Sequence, residues 1–216
     1  MKHLPFILKT LDEMYPNATV ELDHRNNFEL LISVVLSAQT TDIAVNKITP
    51  ALFNKYPTPE LLAKAKEEDV ITYIRTIGLF RNKAKNIIAL SKQLIDKHHG
   101  QVPSTREDLE ALPGVGRKTA NVVLSNAFGI PALAVDTHVA RVSVRLGFAK
   151  PGDSVLTIEK KLMEQIPEEY WQKVHHQFIH FGRYHCLARN PKCYSCPFYD
   201  ICTFEKKSLF RNKVND

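Results

Sequence analysis

Several common features are missing from this sequence. It has no long hydrophobic run, no low-complexity tract, no internal repeat and no linker rich in glycine and serine. A membrane-spanning helix needs about 20 consecutive apolar residues, so we expect none. The opening segment MKHLPFILKTLDEMYP does not resemble a secretory signal peptide, and we therefore expect a reducing compartment. Any boundary between domains must fall in a short loop.

Sustained strand-like alternation of polar and apolar residues is also missing, and the hydrophobic pattern is helical instead. Apolar residues recur at intervals of three and four, as at Phe28, Leu31, Val34 and Val35. The chain has 216 residues, of which 44% are hydrophobic, and this is enough for the core of one or two compact domains. Its formal net charge of +6 is consistent with a polyanionic partner.

Helix-start signals support an all-α fold. Residues 58–60 (TPE) read as an N-cap followed by proline, and Ser104 to Glu107 reads as a capping box ahead of Leu109. Later helices are predicted at residues 153–166 and 168–181. The sequence predicts roughly ten short helices joined by loops of a few residues.

The four cysteines form the pattern Cys186-x6-Cys193-x2-Cys196-x5-Cys202. Because so short a loop can bring four thiolates to one point, it can hold a zinc ion or an iron–sulfur cluster. Structural zinc sites usually have two short Cys-x2–4-Cys pairs, and this sequence has one such pair, Cys193 and Cys196. The spacing therefore favours a cluster over zinc. Two disulfides are the alternative if the compartment is oxidising.

Basic residues surround these cysteines, and such a surface suits a phosphate backbone. They are Arg183, Arg189, Lys192, Lys206, Lys207, Arg211 and Lys213.

A Gly-x-Gly hairpin separates two predicted helices at residues 112–120 (LPGVGRKTA). Gly114 and Gly116 permit positive φ and close backbone approach, so amides at the start of the next helix can bind one phosphate. Such a turn grips nucleic acid without reading bases. A tight helix–helix turn is the alternative, and the adjacent Arg117 and Lys118 favour phosphate binding.

Lys118 lies in the first turn after the glycines, where the helix dipole disfavours a cation. The same field favours the neutral amine, the form that attacks carbon and makes a Schiff base. The other interpretation is a lysine that contacts phosphate. Spacing alone does not choose between the two.

Asp136 lies between apolar neighbours at the start of another predicted helix, in the segment VDTHVAR at residues 135–141. The ordinary role of such an aspartate is an N-cap. The functional interpretation is a carboxylate that stabilises a sugar cation as a base departs and assists proton transfers around an amine.

Taken in order, five segments resemble the endonuclease III family of DNA glycosylases, part of the helix-hairpin-helix Gly-Pro-Asp superfamily. They are residues 36–42 (LSAQTTD), residues 77–79 (IGL) with Lys83 and Ala84, the LPGVGRKTA hairpin, residues 135–139 (VDTHV), and the 6-2-5 cysteine spacing. The resemblance covers nearly the whole chain.

The resemblance implies an all-α fold in which two helical domains flank a DNA-binding cleft, and a [4Fe-4S] cluster on Cys186, Cys193, Cys196 and Cys202. One domain would be residues 21–131, with the helix-hairpin-helix motif near residues 105–125. The other would combine residues 1–20 with 132–216 and carry the cluster loop, residues 186–202. We expect a cytoplasmic monomer that binds double-stranded DNA and no membrane.

The implied activity is that of a bifunctional DNA glycosylase and abasic-site lyase acting on oxidised pyrimidines in base excision repair. Lys118 would be the nucleophile and Asp136 the essential carboxylate. The residues implied to occupy the space of an extruded nucleotide are Gln39, Leu79 and His138. The DNA contacts implied in the hairpin are Leu112, Gly114, Gly116, Arg117 and Thr119.

Two alternatives remain open. The first is a monofunctional glycosylase of the same superfamily. The adenine-specific mismatch glycosylases of that superfamily generally lack a lysine at the position of Lys118. The second is a non-catalytic helix-hairpin-helix module stabilised by zinc, in which Lys118 and Asp136 have no chemical role.

Overall fold

The computed structural model describes residues 2–211, and these contain helices but no β-strand. The α-helices in chain order are α1 (Leu4–Met14), α2 (Asn27–Leu36), α3 (Asp42–Lys55), α4 (Pro59–Ala63), α5 (Glu67–Ile74), α6 (Phe80–His98), α7 (Arg106–Glu110), α8 (Arg117–Phe128), α9 (Thr137–Arg145), α10 (Val155–Gln165) and α11 (Trp171–Tyr184). Short 3-10 helices span Glu168–Tyr170, Cys193–Ser195 and Glu205–Phe210. The predicted all-α class is confirmed. No helix in the described range is both long and apolar enough to cross a membrane.

Two predicted helix starts can be compared with the structure. Helix α4 begins at Pro59 directly after Thr58, as predicted. The predicted capping box is wrong by one residue, because the N-cap of α7 is Thr105 and not Ser104. The Thr105 hydroxyl accepts the backbone N–H of Asp108 at 3.2 Å, the third residue of the helix, which is the bond an N-cap makes.

The later helices begin two to three residues after their predicted starts. The helix predicted at residues 153–166 is α10, which starts after Ser154 because the Ser154 hydroxyl accepts the Thr157 N–H at 3.1 Å. The helix predicted at residues 168–181 opens with a 3-10 turn, and its α-helical part, α11, continues to Tyr184. Helix α6 has 19 residues, so the helices are not uniformly short.

The chain divides into two compact units. The central unit is Glu21–Ile130 and contains α2 to α8. The terminal unit combines the chain up to Val20 with the chain from Pro131 onward, and therefore contains α1 and α9 to α11.

Helix α2 is the innermost helix of the central unit. Residues 28–36 are all buried, and α3, α6 and α8 pack against this helix. Glu29 is only 1% exposed. Its burial is possible because Arg25 donates to Oε1 from its side chain and to Oε2 from its backbone, both at 2.8 Å. A helix buried on every side gives α8 a fixed support.

The terminal unit is organised around α9 and α11, which pack against each other. Phe178 and Phe181 of α11 are each 1% exposed and lie in the core of this unit with Phe198, from the cysteine loop. Gly182 lets α11 approach α9 closely, because a β-carbon there would lie 2.9 Å from the Cβ of His138. This core fixes both the start of α9 and the start of the cysteine loop.

Candidate functional site

The hairpin between α7 and α8 is anchored by apolar side chains and shaped by one glycine. Leu112 and Val115 are buried, and the Val115 N–H donates to the Leu112 carbonyl at 3.1 Å. Gly114 has φ of +80°, and a β-carbon there would lie 2.9 Å from the Asn86 side-chain nitrogen. Both the backbone conformation and the close contact therefore require glycine. Leu112 can meet DNA only through its backbone, because its side chain is 2% exposed.

The N-terminus of α8 is open to a ligand. Gly116 is its N-cap in extended conformation, with no side-chain cap, and a β-carbon at this residue would meet nothing within 4 Å. The first amides of a helix have no partner within it, and together with the helix dipole they form an anion site. Arg117 and Lys118 are exposed and Thr119 is half-buried. Polar side chains and backbone donors thus lie together at the start of this helix.

Two neighbouring turns of the central unit hold Gln39 and Leu79 in the left-handed region, with φ of +55° and +56°. Leu79 is 54% exposed although it is apolar, and Gln39 is also exposed. A β-carbon added at Gly78 would lie 3.8 Å from the Gln39 carbonyl oxygen, so the turns are adjacent. A left-handed conformation costs an L-residue about 1 kcal/mol, and strain of this kind concentrates at functional sites.

Asp136 is the N-cap of α9, which is the ordinary role predicted for it. Its Oδ1 accepts the backbone N–H groups of His138 and Val139, both at 2.8 Å. Because both bonds end on one oxygen, the carboxylate is held in a fixed orientation. Of the two residues predicted to be catalytic, Asp136 belongs to the terminal unit and Lys118 to the central unit.

His138 is half-buried in the first turn of α9. Burial lowers its pKa, which favours the neutral imidazole. Its Nδ1 lies 3.2 Å from Nη2 of Arg141, and the same Nη2 donates to the Gly182 carbonyl at 2.8 Å. Arg141 therefore connects the histidine to α11.

All four cysteines are free thiols and not disulfides. Cys186 is buried, and Arg145 donates to its sulfur at 3.3 Å and to the Leu187 carbonyl at 2.9 Å. The Arg145 guanidinium carbon lies 3.9 Å from the centre of the Phe204 ring. The sequence motifs assigned no role to Arg145. A signal was present, because Arg141 and Arg145 are four residues apart and share one face of α9.

The chemistry of the thiols fits a thiolate-bound metal centre. Burial raises the pKa of Cys186 and of Cys193, and that of Cys196 to about 12, and the nearby Cys202 adds to each of the three shifts. The sulfurs are thus within electrostatic reach of one another, and a bound cation would stabilise the thiolate forms. Within residues 2–211, no three His, Cys, Asp or Glu side chains are grouped to hold a single metal ion.

The basic residues near the loop have two roles. Lys207 points inward, and its Nζ donates to the carbonyls of Tyr199 and Cys202, both at 2.7 Å. Arg211 is exposed, and its guanidinium carbon lies 4.9 Å from the centre of the Tyr199 ring. The remaining described residues of this group are the exposed Arg189, Lys192 and Lys206 and the half-buried Arg183. Lys213 lies outside the described residues.

Known proteins share both the sequence and the fold. A family model described as the HhH-GPD superfamily base excision DNA repair protein matches residues 32–168. The endonuclease III of Bacillus subtilis (strain 168) is 52% identical over 202 residues, which are 94% of this chain and 92% of that protein. The endonuclease III of Escherichia coli (strain K12) is 50% identical over 201 residues, 93% of this chain and 95% of that protein.

A solved structure of a trapped covalent intermediate between endonuclease III and DNA, an estranged-adenine complex, has a TM-score of 0.93 and 55% identity. The match covers 96% of this chain and 98% of that one. Similarity therefore extends along nearly the whole chain and includes both the hairpin and the cysteine loop. The chain belongs to the endonuclease III family, within the HhH-GPD superfamily of base excision DNA repair proteins.

Proposed function

We propose that this chain is a bifunctional DNA glycosylase and abasic-site lyase of base excision repair. It removes damaged bases, chiefly oxidised pyrimidines, from duplex DNA and then cleaves the strand on the 3′ side of the abasic site. The observation that carries the proposal is an exposed lysine, Lys118, at an open helix N-terminus in a chain that matches a trapped covalent endonuclease III–DNA intermediate. We further propose that the protein acts on the chromosome in the cytoplasm and that it is a monomer.

The hairpin binds the DNA backbone. The amides of the first turn of α8, together with Arg117 and Thr119, bind a phosphate, and Gly114 and Gly116 let the backbone approach it. Leu112 contributes its backbone while its side chain anchors the turn. These contacts carry no base information, so they position the enzyme on any sequence.

Lys118 is the nucleophile. Its amine nitrogen attacks C1′ of the extruded nucleotide, and the base departs with the electron pair of the glycosidic bond and gains a proton. Opening of the sugar ring leaves a Schiff base between the Lys118 nitrogen and C1′. Loss of a proton from C2′ then expels the 3′ phosphate by β-elimination. One amine thus serves both activities.

Asp136 supplies the negative charge for this chemistry. Its carboxylate stabilises positive charge on the sugar as the base leaves and assists proton transfer to and from the lysine nitrogen. The two N–H donors at the start of α9 hold the carboxylate in place, so it needs no reorganisation during the reaction. The cap is therefore also a means of preorganisation.

Gln39, Leu79 and His138 occupy the space that the extruded nucleotide leaves in the duplex. Flipping costs a few kcal/mol and is easiest for a damaged base. Leu79 can replace lost stacking contacts because it is apolar and 54% exposed. The Gln39 amide supplies hydrogen bonds to the bases that remain.

Cys186, Cys193, Cys196 and Cys202 would hold a [4Fe-4S] cluster. A [4Fe-4S] cluster takes four cysteine thiolates as its protein ligands, which matches the number of cysteines in this loop. The cluster would supply a rigid thiolate-bound core for the loop, and neither base removal nor β-elimination transfers electrons. The hydrogen bond from Arg145 to Cys186 fits a thiolate ligand. The exposed basic residues of the loop bind the DNA backbone.

Replacing Lys118 tests the nucleophile. With borohydride and a duplex that contains an abasic site, the wild type forms a stable protein–DNA adduct, and Lys118→Gln reduces this adduct to background because its side chain has no amine. Binding of the same duplex persists in the variant. Lys97→Gln, at an exposed lysine near the end of α6, is the matched control and traps like the wild type. An active wild type that forms no adduct is a monofunctional glycosylase.

Two substitutions at Asp136 separate its charge from its capping bond. Both Asp136→Asn and Asp136→Ala lower the single-turnover rate of base excision by about 10²- to 10⁴-fold, because both remove the carboxylate. Asparagine is a good N-cap, so only the alanine variant loses about 1 kcal/mol of unfolding free energy. Urea denaturation followed by circular dichroism measures the second effect. Excision by Asp136→Asn at the wild-type rate contradicts a catalytic charge.

Metal analysis tests the cluster. Protein purified without oxygen contains iron and sulfide in equal amounts, about four of each per chain, and absorbs visible light. Cys196→Ser weakens this absorption, and Ser195→Ala, at the exposed neighbouring residue, keeps it. Stoichiometric zinc in place of iron contradicts the proposed cluster and favours a zinc-stabilised module.

A further inference from the structure

A buried lysine lies one turn into α6. Lys83 is only 4% exposed, and its Nζ donates a hydrogen bond to Oγ1 of Thr40 at 2.8 Å. Burial lowers the pKa of Lys83 because the charged amine loses its hydration. An aliphatic residue of the same length would fill this space without that loss. The amine therefore costs stability, and its hydrogen bond is the contact that it gains in return.

This hydrogen bond joins the two turns that carry Gln39 and Leu79. Thr40 directly follows Gln39 in the chain, and the Lys83 backbone N–H donates to the Leu79 carbonyl at 3.0 Å. Lys83 is thus bonded to the Leu79 turn through its backbone and to the Gln39 turn through its side chain. The Gly78 position brings the same two turns into contact through the backbone.

Both turns are strained at the residue that would enter the DNA. Gln39 and Leu79 have positive φ without being glycine, and such conformations persist only where the surrounding structure enforces them. Thr40 and Lys83 are 43 residues apart in sequence, so their bond is a tertiary constraint on two otherwise local turns. Without it, either turn can relax toward the ordinary right-handed region.

We infer that Lys83 and Thr40 are a positioning pair, which fixes Gln39 and Leu79 side by side so that both enter the duplex as one rigid element. The inference rests on the proposed function and deepens it. The pair touches no reacting atom. It acts when a paired base is extruded and has little effect once the base is gone.

The test compares two substrates. Lys83→Met and Thr40→Val each remove the hydrogen bond with little change in volume. Loss of a hydrogen bond to a charged group corresponds to a change of about 10- to 100-fold in a rate constant. We therefore expect each variant to excise an oxidised pyrimidine paired in a duplex more slowly by this factor in a single turnover. Cleavage at a preformed abasic site, where no base must be unstacked, stays within about threefold of the wild type.

Three controls make the comparison specific. The double variant loses no more than either single variant, because the two residues act through one bond. Lys92→Met, at an exposed lysine further along α6, excises the paired lesion like the wild type. The melting temperature of Lys83→Met does not fall, because methionine removes the desolvation cost of the amine.

Three outcomes overturn the positioning pair. The variants lose the same rate factor on both substrates, the rate losses multiply in the double variant, or the rate of excision is unchanged. These outcomes are distinct from failure of the proposed function, in which the wild type neither excises the lesion nor cleaves the abasic site. An active wild type with variants that behave identically on both substrates overturns the positioning pair alone.

Discussion

The open N-terminus of α8 is the constraint on which the rest of this protein depends. Gly116, the N-cap of α8, provides no side-chain cap, and a β-carbon at this residue would meet nothing within 4 Å, so the start of the helix is accessible to a ligand. The buried side chains of Leu112 and Val115 fix the turn, and Gly114 adopts the backbone conformation that the turn requires. Helix α8 in turn packs on α2, the most buried helix of its unit. The hydrophobic core of the central unit thus determines the position of the start of α8 and of Lys118, which lies in its first turn.

In the terminal unit, the cysteine loop after α11 has little regular secondary structure and depends on side-chain contacts. Two basic side chains donate hydrogen bonds to this loop. Arg145 donates to the Cys186 sulfur, and Lys207 donates to two backbone carbonyls. Burial raises the pKa of Cys186 and of Cys196, which disfavours the thiolate form of both side chains. A bound metal centre would stabilise the thiolate forms, and the guanidinium of Arg145 would then be a counter-ion to the Cys186 sulfur.

Much of this could be predicted from the sequence, because the strongest signals are local. The glycine hairpin, the cysteine spacing and the helical pattern each depend on residues close together in the chain. The capping box was misplaced by one residue because Ser104 and Thr105 can both cap, and the choice depends on which hydroxyl reaches the third amide. Contacts between distant residues were not predictable. The bonds from Lys83 to Thr40 and from Arg145 to Cys186 join positions 43 and 41 residues apart, and no periodicity reveals them.

The central claim is that the amine at the start of α8 forms a covalent bond with the opened sugar. Digestion of the borohydride-reduced protein–DNA adduct, followed by tandem mass spectrometry of the modified peptide, tests this claim most directly. The account predicts that the sugar remnant is attached to Lys118 alone. A remnant attached to another lysine or to the terminal amine would contradict it.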